Sequence, residues 1–152
     1  MYQEKRLPLA LTSSEDKIIL AVQEHLFPKT KEAPSSQEIN AREYLHLVLH
    51  DQTLDIRDRQ FIKNGIKWLE EETQEKYNRS FINLSFKEKE TIFQEISKVR
   101  WGEGWLSSLL SYIFEALLSD PIYGGNPSGI GWKWLNHQTG HPRPKYKFNS
   151  SH

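Results

Sequence analysis

Apolar residues recur along most of the chain at the spacing of amphipathic helices. Thr12-x-x-Glu15 has the form of a capping box, and Ile18, Ile19, Val22 and Leu26 follow it, so a helix is expected over 13–27, stopped by Pro28. A second box, Ser35-x-x-Glu38, precedes Ile39, Ala41, Tyr44, Leu45, Val48 and Leu49, which predicts a helix over 36–50. Asp51 to Asp55 reads as a short connection with Asp55 as N-cap. Phe61, Ile62, Ile66 and Leu69 then mark a helix over 56–77. Gly65 costs it about 1 kcal/mol against alanine, so a close helix contact is expected there. A third box, Ser85-x-x-Glu88, has Phe81 and Leu84 ahead of it as staple residues and opens a helix over 86–100, with Ile92, Phe93, Ile96 and Val99 inward. Gly102 and Gly104 read as a break. The last helix, 103–119, turns Leu106, Leu109, Leu110, Ile113, Phe114 and Leu117 inward; so wide a face belongs to a central helix. No run alternates Val, Ile and Thr as a strand would. The expectation is an all-α, single-domain bundle of about five helices over 13–119, after an extended lead-in at 1–12.

The last thirty-two residues follow another pattern. Residues 121–152 hold five of the eight glycines, four of the seven prolines, Trp132 and Trp134, and no acidic residue. Lys133, Arg143, Lys145 and Lys147 give them a charge of +4 against −4 for residues 1–120, and the two cancel to the overall zero. A disordered segment would be poor in aromatics, whereas Asp120 to Leu135 is rich in them. Gly124-Gly125-Asn126 suits positive φ, and Gly129 and Gly131 allow close backbone approach. The expectation is an ordered, irregular Gly/aromatic loop over 120–144, pinned by Tyr123, Trp132 and Trp134 on the bundle or on a partner, and a flexible basic tail at 145–152.

The run Leu118-Ser-Asp-Pro-Ile-Tyr-Gly-Gly-Asn-Pro-Ser-Gly-Ile-Gly-Trp-Lys-Trp-Leu135 resembles the signature of the gluconate 2-dehydrogenase subunit 3 family. His25-Leu-Phe-Pro28 with Pro34, and Phe81-x-x-Leu84-Ser85, sit where that family's shorter patterns are expected. The resemblance implies the small, non-catalytic subunit of a membrane-bound sugar or sugar-acid dehydrogenase. It implies a glucose–methanol–choline type large subunit that holds FAD and the catalytic histidine, and a further subunit with haem c that passes electrons to the membrane. It also implies a periplasmic location at the inner membrane, reached through partners. The small subunit would stabilise the flavoprotein and assist its export. Small subunits of the family often carry a twin-arginine leader; residues 1–11 contain neither a twin arginine nor an apolar h-region.

Other chemistry finds little support. The chain has no cysteine, hence no thiolate nucleophile, iron–sulfur cluster or Cys-based zinc site. The most apolar stretch, Trp105 to Leu118, is too short to span a membrane, which takes about 20 residues, and it is interrupted by Ser107, Ser108, Ser111 and Glu115. Zero net charge argues against a dedicated nucleic-acid binder. Gly124-x4-Gly129 lacks the Lys-Ser/Thr of a P-loop, and Gly129-Ile-Gly131 follows no strand. His46 and His50 have metal-ligand spacing on one helix face but no third ligand nearby in sequence; surface histidines are the plainer reading. No Gly-x-Ser-x-Gly elbow is present, and Glu70 to Glu72 with Glu75 reads as a solvated helix face.

No catalytic, cofactor-binding or metal residue is therefore expected in this chain. Partner contact is expected from Asp120, Pro121, Tyr123, Gly124, Gly125, Asn126, Trp132 and Trp134. The competing expectation is a free-standing sugar or sugar-acid binding domain, with Tyr123, Trp132 and Trp134 stacking on the sugar.

Overall fold

The computed structural model describes residues 10–51 and 53–135. Six α-helices follow in chain order: α1 Ser13–Leu26, α2 Ala41–His50, α3 Ile56–Tyr77, α4 Phe86–Ile96, α5 Arg100–Leu118 and α6 Ile130–Leu135. One 3-10 turn, Phe81–Asn83, lies between α3 and α4, two more, Pro121–Tyr123 and Pro127–Gly129, lie between α5 and α6, and no strand occurs among the described residues. The expected lead-in lies almost wholly outside the described residues. So do His137, His141, Arg143, Lys145, Lys147 and the flexible tail expected at 145–152.

The helix starts are local chemistry. Thr12 and Ser85 each form a reciprocal capping box with the glutamate three residues on. The Asp55 carboxylate accepts the Arg57 amide at 2.8 Å. The same carboxylate meets the Arg57 guanidinium, and these bonds hold its pKa down to about 2. Asn78, at φ 57°, closes α3 in the left-handed region that asparagine tolerates.

Two boundaries depart from the sequence pattern. The Ser35–Glu38 box does form, with bonds of 2.9 and 3.0 Å, but the chain makes only a turn before Asn40 swings to φ 54° and α2 begins at Ala41. The Ile39 carbonyl accepts the Asn126 amide at 2.8 Å, a bond from far along the chain that takes it out of any helical ladder. The break placed at Gly102 and Gly104 falls instead at Ser97–Val99, and both glycines lie inside α5. Gly102 is there for contact: a Cβ on it would stand 2.0 Å from the Ile96 carbonyl oxygen at the end of α4.

Helix α5 is central, touching α1, α2, α3, α4 and α6. Its Trp105 is fully buried in the main core, where the indole Nε1 donates to the Ile62 carbonyl of α3 at 2.9 Å. Phe81 and Phe93 stack there with centroids 5.4 Å apart. A smaller core of Ile39, Ala41, Ile113, Ala116 and Leu117 lies at the other end of α5, beneath the Gly-rich segment. Phe114 is not inward as its spacing suggested; it is 45% exposed.

Candidate functional site

Asn126 makes the largest number of the hydrogen bonds that hold the segment after α5 to the body. Asn126 is fully buried at φ 54°. Its amide donates to the Ile39 carbonyl at 2.8 Å, and its own carbonyl accepts the Gly129 amide at 2.9 Å. Its side-chain Nδ2 donates to the Ser119 carbonyl at 2.8 Å, and its Oδ1 accepts the Gly131 amide. Both main-chain groups and both ends of the side-chain amide are thus used, tying the α1–α2 linker, the end of α5 and the start of α6 together. Asparagine is among the few side chains that tolerate this backbone, and its side chain reaches both neighbours.

The glycines around it fall into two groups. Gly124 (φ 96°) and Gly129 (φ 69°) occupy backbone that side chains avoid. Gly125 and Gly131 serve contact: a Cβ on Gly131 would stand 2.1 Å from the Leu117 carbonyl oxygen, and one on Gly125 would stand 3.1 Å from the Ala116 Cβ. Asp120 starts the first 3-10 turn by accepting the Ile122 amide at 3.1 Å, with Pro121 at the first helical position. Trp132 donates from Nε1 to the Leu118 carbonyl at 2.7 Å.

The predicted site residues therefore take different parts. Asp120, Pro121, Gly124, Gly125, Asn126 and Trp132 build and fasten the segment. Tyr123 does not pin it: with Ile122 it points outward, and the two are 59% and 66% exposed. Trp134 packs edge-on to Phe27, centroids 6.0 Å apart, and still leaves 37% of itself exposed. Phe27 in turn meets Phe114 edge-on at 6.4 Å. Within the irregular loop expected over 120–144, residues 130–135 form a short helix, α6, whose first turn is seated by the Asn126–Gly131 bond, and 136–144 lie outside the described residues.

The end of α5 and the segment after it thus leave apolar surface exposed at Phe114, Leu118, Ile122, Tyr123 and Trp134. Phe114 and Leu118 lie four residues apart on α5 and share its outer side. The spacing pattern missed Phe114 and Leu118 as exposed members of this surface, since α5 carries apolar residues around most of its circumference. The shorter patterns upstream also divide: Phe27 supports Trp134, whereas His25 ties α1 to α4 through Glu90 at 2.7 Å, between the rings of Phe86 and Phe93.

The two histidines with metal-ligand spacing make other contacts. His46 Nε2 lies 3.0 Å from the Asp16 carboxylate of α1, and His50 Nδ1 donates to the His46 carbonyl at 2.8 Å. Among the described residues no group of three or more His, Asp or Glu is placed to hold a metal ion. No helix among them is long and apolar enough to cross a membrane.

Fold and site together define a small all-helical protein with an asparagine-locked C-terminal segment and an exposed aromatic face beside it. The family model for gluconate 2-dehydrogenase subunit 3 matches residues 13–140, and the chain belongs to that family. The family's description implies a subunit of a gluconate dehydrogenase complex. Neither a curated protein nor a solved structure matches the chain significantly.

Proposed function

We propose that this chain is a non-catalytic accessory subunit that docks on the FAD-bearing subunit of a gluconate or related sugar dehydrogenase. It stabilises that subunit and escorts it to the periplasm, where a haem c subunit takes up the electrons. The carrying observation is the exposed apolar surface of Phe114 and Leu118 on α5 and of Ile122, Tyr123 and Trp134 on the segment that Asn126 locks to the body. A rigid platform presenting aromatics loses little conformational entropy on docking, and buried Tyr and Trp contacts are worth about 2 kcal/mol or more each at interface centres. Membership of a family described as a dehydrogenase subunit supports the same reading.

The test is affinity capture of the tagged chain from its native cells, with mass spectrometry and a flavin absorbance scan of the eluate. A stoichiometric flavoprotein partner is expected. A monomer that elutes without protein or flavin would contradict the proposal.

A further inference from the structure

Beside the aromatic face, a groove of about 320 Å³ runs between the α1–α2 linker and α6. Trp134, Ile130 and Pro34 supply its apolar lining, and Lys29, Lys31 and Lys133 stand along it with Glu32 and Glu38. Glu38 is already occupied: Lys29 Nζ reaches its two oxygens at 2.8 and 3.0 Å, and the Ser35 amide donates to it at 2.9 Å. These partners hold the Glu38 carboxyl below the usual range. Counted without that pair, the groove carries two lysines against Glu32, an excess of positive charge.

We infer that this groove takes an acidic segment of the flavoprotein subunit, with carboxylates reaching Lys31 and Lys133 and an apolar side chain lying against Trp134. The inference rests on the docking reading above and gives its partner a chemistry. Trp134 belongs to both the groove and the aromatic face, so one partner surface covers them together. The lysines are exposed, so their contribution is to encounter rate and register more than to final affinity.

The test is zero-length carbodiimide coupling of the purified complex, which joins amines only to carboxylates in direct contact. Isopeptide links from Lys31 and Lys133 to one short Asp/Glu-rich stretch of the partner are expected. In the same complex, Lys31→Glu with Lys133→Glu should slow association about tenfold at low salt and flatten its salt dependence, with helical circular dichroism unchanged. A complex that assembles but shows no link from either lysine, and whose association rate is unmoved by the double variant, would overturn the acidic-segment inference and leave the docking reading standing. Failure of the wild-type chain to assemble with any flavoprotein would overturn the docking reading itself. Quenching of Trp134 fluorescence by millimolar gluconate in the isolated chain, absent from Trp134→Phe, would assign the groove to a small sugar acid and also overturn the inference.

Discussion

Asn126 is the residue on which the candidate site depends most. Asn126→Gly keeps the backbone accessible and removes two side-chain hydrogen bonds, an expected loss of about 2 kcal/mol. Asn126→Ala adds the cost of φ 54° for a residue with a Cβ, so about 3 kcal/mol is expected. Urea unfolding of the two variants checks the order; an alanine variant as stable as the glycine variant would remove the backbone part of the argument. Tyr44 makes a separate point about pH. Its hydroxyl donates to Glu115 at 3.0 Å, and burial with that neighbouring carboxylate pushes its pKa up to about 12. A folded pKa above the unfolded value of about 10 stabilises the fold below pH 10, and that contribution is lost as pH rises toward 12. Denaturation between pH 8.5 and 11.5 should therefore show a decline that Tyr44→Phe makes shallower; parallel curves would contradict it.

Elements were legible in the sequence where their signals are local. The capping boxes at Thr12 and Ser85, the Asp55 cap and the apolar stripes place α1, α3 and α4 within a few residues of where they lie. The start of α2 was not legible, because the Asn126 amide that captures the Ile39 carbonyl comes from 87 positions away. Gly102 shows the same limit: a glycine that permits contact with α4 looks, in a linear pattern, like a breaker. In the candidate site the aromatic and glycine content of 120–135 pointed to an ordered segment, but not to which aromatics fasten it and which face outward. That division depends on where the end of α5 offers a carbonyl to Trp132. Gly65 tests the packing argument at this scale. Helix propensity alone favours Gly65→Ala by about 1 kcal/mol. The added Cβ, however, would stand 2.1 Å from Trp105 Nε1, in a core where overpacking costs about 1–3 kcal/mol. Thermal unfolding should show a net loss of stability, and a gain would mean that α3 and α5 are less closely packed than described.

For the whole molecule, the two ends of α5 do different work. Trp105 holds one end inside the main core, while the other end carries the smaller core, the Asn126 lock and the exposed face. Stability and docking are therefore separable by substitution. Changes at outward Ile122 and Tyr123 should spare the fold, whereas changes at Asn126 or Trp132 should loosen the platform and weaken docking indirectly.

The most direct measurement is the affinity of the captured flavoprotein subunit for the wild-type chain and for Ile122→Ser with Tyr123→Ser, with Ile56→Ser as an exposed control outside the face. The account predicts a loss of tenfold or more for the double variant, an unchanged value for the control, and the same helical circular dichroism in all three. Equal affinity for the double variant and the wild type would contradict the claim that this face holds the partner.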